Sequence, residues 1–170
     1  MVNRLVAKTQ YNLIPKGSVT DGTAFFIKAF WVIVIVFLCG SCVYVFNRVI
    51  ITDQSPDVIQ LDPFDLEGVE IVGDTVTLSI SYGGGCEEHC FSLYMSPAAF
   101  LESYPVQANL YLRHDSNGDA CEALINEDIS FNLLPVAVLY KKLYGQFDEI
   151  VINVFKYRSN DNLNETYSPE

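Results

Sequence analysis

A run of 18 uncharged residues, Ala29 to Phe46 (AFWVIVIVFLCGSCVYVF), constrains this chain more than any other feature. At about 1.5 Å per residue, a helix of that length covers ~27 Å, close to the hydrocarbon thickness of a bilayer. Lys28 bounds it on one side, and Asn47 and Arg48 on the other. Val49, Ile50 and Ile51 extend it if Arg48 snorkels to the interface. Phe25, Phe26 and Trp31 at one end and Tyr44 at the other suit interfacial aromatic belts. A soluble core helix seldom carries so long an uncharged run. Residues 24–51 are therefore read as a single transmembrane anchor.

Charge sets its direction. Residues 1–28 carry Arg4, Lys8, Lys16 and Lys28 against Asp21 alone, a net of +3, and residues 47–170 carry −14, which together give the chain's −11. Lys and Arg collect on the cytoplasmic flank of a span. Residues 1–23, broken by Pro15, Gly17 and Gly22, are then a cytoplasmic tail, and the C-terminal part is extracytoplasmic. Cleavage is the competing fate of the apolar run. Gly40-Ser41-Cys42 carries the small residues of a lipoprotein site, which makes Cys42 a candidate for lipidation. However, Cys39 stands where an aliphatic is expected, and Val43 to Phe46 stay apolar where the chain should turn polar.

Beyond the anchor about 120 residues remain, enough for one domain with one core. The acidic balance excludes a nucleic-acid surface, which needs clustered Lys and Arg. It also opposes docking on anionic lipid heads. The partners implied are the membrane itself and a protein of unspecified identity.

Residues 52–67, with Pro56 and Pro63, read as an extended juxtamembrane connector. From there the apolar period becomes 2, and residues 68–158 read as an extracytoplasmic β domain. Strands are expected at Val69–Val72, Thr75–Tyr82, His89–Met95, Val106–His114, the second half of Cys121–Leu133, and Glu149–Tyr157. The last is apolar on both faces, as a strand covered on both sides would be. Leu134–Tyr144 reads as a short helix, with Pro135 at its start and Gly145 at its end. Residues 159–170 are polar and read as a disordered tail. The fold class expected is mainly β: a small antiparallel β-sandwich or open barrel with one short helix.

The chain has five cysteines and two histidines. Cys39 and Cys42 lie in the apolar run. The rest form two patches: Cys86, His89 and Cys90 after a Gly83-Gly84-Gly85 turn, then His114 and Cys121 around an Asn117-Gly118 turn. In an oxidising space two cysteines at separate turns form a disulfide. Cys86–Cys121 is the first choice and Cys90–Cys121 the second. Either pairing leaves one thiol over. The alternative is a metal site, with Cys86, His89, His114 and Cys121 as a tetrahedral set for zinc or a softer one for copper. Its spacing does not match a zinc finger.

Other patterns point to weaker chemistry. Asp115-x-Asn117-x-Asp119 imitates half of a calcium loop, but the glycine precedes Asp119 and Asn126 stands where a bidentate Glu is needed. It reads as a turn. A cysteine nucleophile beside His89 or His114 lacks an orienting acid. Asn164-Glu165-Thr166 is a glycosylation sequon. Lys141-Lys142 reads as a solvated helix face. No pair of carboxylates invites acid–base catalysis, and the chain is not read as an enzyme.

The segments Gly83-Gly84-Gly85-Cys86-x-x-His89-x-Phe91, Leu112-x-His114 and Gly118-Asp119-x-Cys121-Glu122-Ala123 resemble bacterial secreted or lipid-anchored β-proteins that carry a GGGC-x-x-H-x-F element. The likeness covers roughly residues 75–157. That group has no assigned activity, so the resemblance implies compartment and fold. An acidic residue is common in it where this chain has Cys90. The resemblance therefore implies Cys86–Cys121 as the pair and Cys90 as the spare thiol.

Overall fold

The computed structural model describes residues 47–169. The tail at 1–23, the apolar run itself and Cys42 lie outside the described residues. Among the described residues, no helix is long and apolar enough to cross a membrane.

The elements in order are β1 (Ile50–Ile51), the single helical turn α1 (Pro56–Ile59), β2 (Asp65–Val72), β3 (Thr75–Gly84), β4 (Cys90–Met95), β5 (Val106–Asp115), β6 (Ala123–Asn132), α2 (Leu134–Tyr144), β7 (Ile150–Phe155) and β8 (Asn162–Tyr167). They form a five-stranded sheet in the order β1-β4-β5-β7-β8 and a three-stranded sheet in the order β2-β3-β6. Alternation dictates what each sheet buries. Val76, Leu78 and Ile80 of β3 point inward with Phe131 of β6, and they share one core with Leu93, Leu110, Leu112, Ile152 and Val154 of the larger sheet. The expected mainly β domain with one short helix is thus present, as two sheets closed on a single core.

Its pairing is not purely antiparallel. β1 runs parallel to β4, and β5 runs parallel to β7. A parallel pair needs a crossover, and β6 followed by α2 supplies the one between β5 and β7. Both faces of β7 are covered as expected. Ile150, Ile152 and Val154 are buried on one face, and Asn153 is buried on the other, where its amide donates to Gln107 and Asn109.

Three expected boundaries move. Ile50 and Ile51, counted with the anchor, pair with Tyr94 and Met95 as strand β1, and Val49 donates its amide to the Asn132 carbonyl. Residues 52–67 are not a free connector, because Ile59, Phe64 and Leu66 are buried. A register shift between Leu66 and Gly68 turns both Leu66 and Val69 toward the core side, and that bulge hides the period of β2. Residues 162–167 are not disordered. They form β8 against β7, ending on the fully buried Tyr167, whose hydroxyl donates to Asp74.

α2 forms where expected. Gly145 takes the left-handed conformation (φ 80°) and its amide closes on the Lys141 carbonyl, a conformation that glycine adopts without a Cβ penalty.

Candidate functional site

Gly84 at the end of β3 pairs with Ala123 at the start of β6, and Cys90 at the start of β4 pairs with Asp115 at the end of β5. The two patches singled out in the sequence therefore meet at one end of the sheets. Cys86 and Cys121 are joined in a disulfide that spans 35 positions, with Cα atoms 5.9 Å apart. Closing a loop of that length stabilises the folded state by about 2–4 kcal/mol. Cys90 is itself disulfide-bonded, so it is not the spare thiol that the Cys86–Cys121 pairing was expected to leave.

Asp119 organises this end. One of its carboxylate oxygens accepts the backbone N–H groups of Gly85 (2.8 Å), Cys86 (2.8 Å) and Glu87 (3.0 Å), and the other accepts that of Cys121 (2.8 Å). The glycine turn is thus a nest of amides wrapped around an anion. Gly85 sits at φ +116°, a conformation that L side chains rarely adopt. These donors, led by the Glu87 amide, hold the Asp119 carboxyl well below the usual carboxylate range. Asp119 reaches its position from the Asn117-Gly118 turn, where both residues have positive φ and the Asp119 amide donates to the Ser116 carbonyl. The calcium-like spacing is accordingly a turn.

The histidines continue the network inward. His89 Nε2 lies 3.2 Å from Asp119 Oδ2, with both side chains almost wholly covered. His89 Nδ1 lies 2.7 Å from His114 Nε2, and His114 Nδ1 lies 3.0 Å from the Pro63 carbonyl. A carboxylate at one end and a carbonyl at the other can only accept. Three hydrogen bonds in that row need three ring protons, one more than two neutral imidazoles carry. Burial pushes His114 down from its ordinary value.

Tyr82 and Phe91 enclose the pair. Tyr82 lies 4.8 Å from the His89 ring and 4.9 Å from the His114 ring, and Phe91 stacks on His114 at 4.9 Å. The Tyr82 hydroxyl donates to Glu127 (2.7 Å). Burial first, then that bond, pushes it up to about 12. Behind Gly84 there is no spare room, because a Cβ there would fall 2.6 Å from the His89 ring.

All four residues of the expected metal set converge here, but their donor atoms are engaged. The sulfurs bond each other, and the ring nitrogens face Asp119, each other and Pro63. A donor absent from that set also lies close. Ligand atoms of Cys86, Asp119 and Cys121 fall within 4.8 Å of one another. Asp119 escaped the sequence reading because its spacing looked like half a calcium loop. Its position two residues before Cys121 was the available signal.

No protein-family model and no curated protein matches the chain. Among solved structures it bears a weak resemblance to a NigD-like immunity protein from Bacteroides caccae ATCC 43185, with 17% identity, a TM-score of 0.49, and coverage of 74% of this chain and 65% of that one. It also resembles a protein of unknown function, DUF1344, from Bacteroides vulgatus ATCC 8482, with 15% identity, a TM-score of 0.48, and coverage of 72% and 56%. The chain spans less than two thirds of the length of either.

Proposed function

We propose that this chain is a membrane-tethered, extracytoplasmic β domain, stabilised by a disulfide, with a binding or envelope-structural role and no catalytic one. The carrying observation is the Cys86–Cys121 disulfide, which locks the glycine turn to the turn before β6. Such bonds persist outside the reducing cytosol. The apolar run with its positive flank supplies the tether, as a helix or, if Cys42 is lipidated, as acyl chains. The histidine row supports a structural role, since it ends on acceptors of the protein's own at both ends and its ring nitrogens are spent. A protein partner would meet the disulfide-locked end. An open groove of about 400 Å³ beside it presents Asp65, Ser81, Lys156 and Tyr157, a mixed lining suited to polar contacts.

The zinc or copper reading would need the disulfide opened and both histidines released from their partners. Peptide mapping of the purified full chain without reductant, together with metal analysis, separates the two. A Cys86–Cys121 cross-linked peptide and no bound metal is the expected result. A stoichiometric metal with Cys86 and Cys121 reduced would overturn the proposal.

A further inference from the structure

At the groove of about 400 Å³ beside the disulfide end, two cations close together in sequence have no carboxylate partner. Residues 47–170 carry a net charge of −14. Among the described residues the ion pairs are His89–Asp119 and Arg113–Asp115. Lys156, which lines the groove, and Arg158, which follows Tyr157, pair with no carboxylate. Asp65 shares the lining but forms an ion pair with neither.

The turn that carries these cations is fixed from beneath. Gln60, 2% exposed, follows α1 and spans the turn with both ends of its side-chain amide. Its Nε2 donates to the Lys156 carbonyl (3.3 Å), and its Oε1 accepts the Arg158 amide (2.8 Å). Tyr157 donates its hydroxyl to the Leu61 carbonyl (3.0 Å) and packs edge-on against Phe64. Arg158 is held at φ 44°, a left-handed conformation that is strained for any residue but glycine. Its guanidinium lies 5.3 Å from the centre of the Tyr157 ring. Backbone strain of this kind persists only where the surroundings over-determine it, and it clusters at sites that hold ligands.

A second, independent feature of the groove is Ser81 of β3, which lines it and is only 5% exposed. Thr77 and Ser79, its neighbours on the same face of the strand, bond to Ser130 and Asp128 across the sheet. The Ser81 hydroxyl has no hydrogen-bond partner among the described residues. No fully enclosed side-chain nitrogen or oxygen among them lacks a partner. The hydroxyl therefore meets solvent, and the groove is the opening along which Ser81 lies. A nearly buried donor left without a partner is the kind of group that a ligand satisfies.

From the two unpaired cations and the unpartnered hydroxyl, we infer that this groove binds the C-terminal carboxylate of a partner peptide. Lys156 and Arg158 supply the charge, and Ser81 donates a hydrogen bond. Pro63, Leu124 and Tyr157 offer apolar sides to the last residues of the peptide. The charges select one carboxylate. Asp65 in the lining opposes a dianion such as phosphate, and the acidic domain repels a peptide with several acidic side chains. The volume lies within the range of small-ligand sites, so it holds a chain end and not a folded surface. This inference rests on the binding role proposed above and names the chemistry of what is bound.

The test is equilibrium dialysis of the purified full chain against a pool of short N-acetylated peptides with free C-termini, and against the same pool amidated. The free-carboxylate pool should be retained and the amidated pool should not. Lys156→Gln should weaken retention about tenfold, the loss of one charge-assisted bond. Ser81→Ala should weaken it as well and leave the denaturation midpoint unchanged, because no group of the protein loses a bond. Arg158→Gly keeps the left-handed turn, removes the guanidinium, and should weaken retention without destabilising the chain. Equal retention of both pools, or retention of neither, overturns the carboxylate assignment, and so does unchanged retention by Lys156→Gln. The disulfide-stabilised reading fails separately, on a stoichiometric metal with Cys86 and Cys121 reduced.

Discussion

Gly84 shows how narrowly single residues define the disulfide end. A Cβ there would meet the His89 ring at 2.6 Å and Asp119 Oδ2 at 3.2 Å. Neither partner can give way without breaking the row of hydrogen bonds. Gly84→Ala should therefore destabilise the domain by about 1–3 kcal/mol, as overpacking does. At Gly83 nothing lies within 4 Å of an added Cβ, so Gly83→Ala should cost less than about 0.5 kcal/mol. Equal costs in chemical denaturation would sink the packing argument.

Acid should act on the same network. Asp119 is held below the ordinary aspartate value of 3.8 by backbone donors, so on acidification the unfolded chain takes up a proton before the folded one. His114 is held below 6.5 by burial, so again the unfolded chain binds the proton first. Stability rises with pH wherever the unfolded state binds more protons. Both groups therefore make the domain less stable as pH falls, starting below about 6.5 and continuing through the carboxylate range. Thermal unfolding between pH 7 and 3 should show the fall, and Asp119→Asn should flatten its lower part. An unchanged slope in that variant would remove Asp119 from the account.

Among the elements, β8 carries the clearest consequence. It covers β7 and brings in Tyr167, which is fully buried with its hydroxyl 2.6 Å from Asp74. Tyr167→Phe keeps the ring but leaves that carboxylate without its donor, a loss of about 1.5–3 kcal/mol. A denaturation midpoint matching the parent chain would show that β8 contributes by ring burial alone. The polar run Asn-Leu-Asn-Glu-Thr is illegible as a strand because an edge strand needs few apolar residues of its own. Its backbone partners are what order it. β2 runs longer than its alternation predicts for a different reason, since the bulge at Glu67 interrupts the period-2 pattern.

At the scale of the whole molecule, polarity is the organising property. One end holds Asn47 beside Asn132, the start of α2, and Val72 at the end of β2. The other holds the disulfide, the nest on Asp119 and the histidine row. If the chain is tethered as proposed, protease added to sealed, right-side-out membrane vesicles should remove residues 47–170 and spare the first 28. Protection of the domain would overturn the proposed extracytoplasmic placement and the disulfide's compartment with it.

What the sequence determined by itself was local. Alternation placed the long strands β3, β5 and β7. Pro135 and Gly145 bounded α2. The uncharged run and its positive flank set the expectation of a tether. These signals need only neighbours along the chain. The tertiary structure decided what depends on residues far apart. It made β5 and β7 parallel, drew Ile50 and Ile51 into a sheet, and ordered the C-terminal run as β8. It also wrapped an amide nest around Asp119 and joined the two histidines by a hydrogen bond beside the Cys86–Cys121 disulfide that the sequence had made the first choice. Spacing along a chain can list donor atoms, but only the fold decides which of them are already bonded to one another.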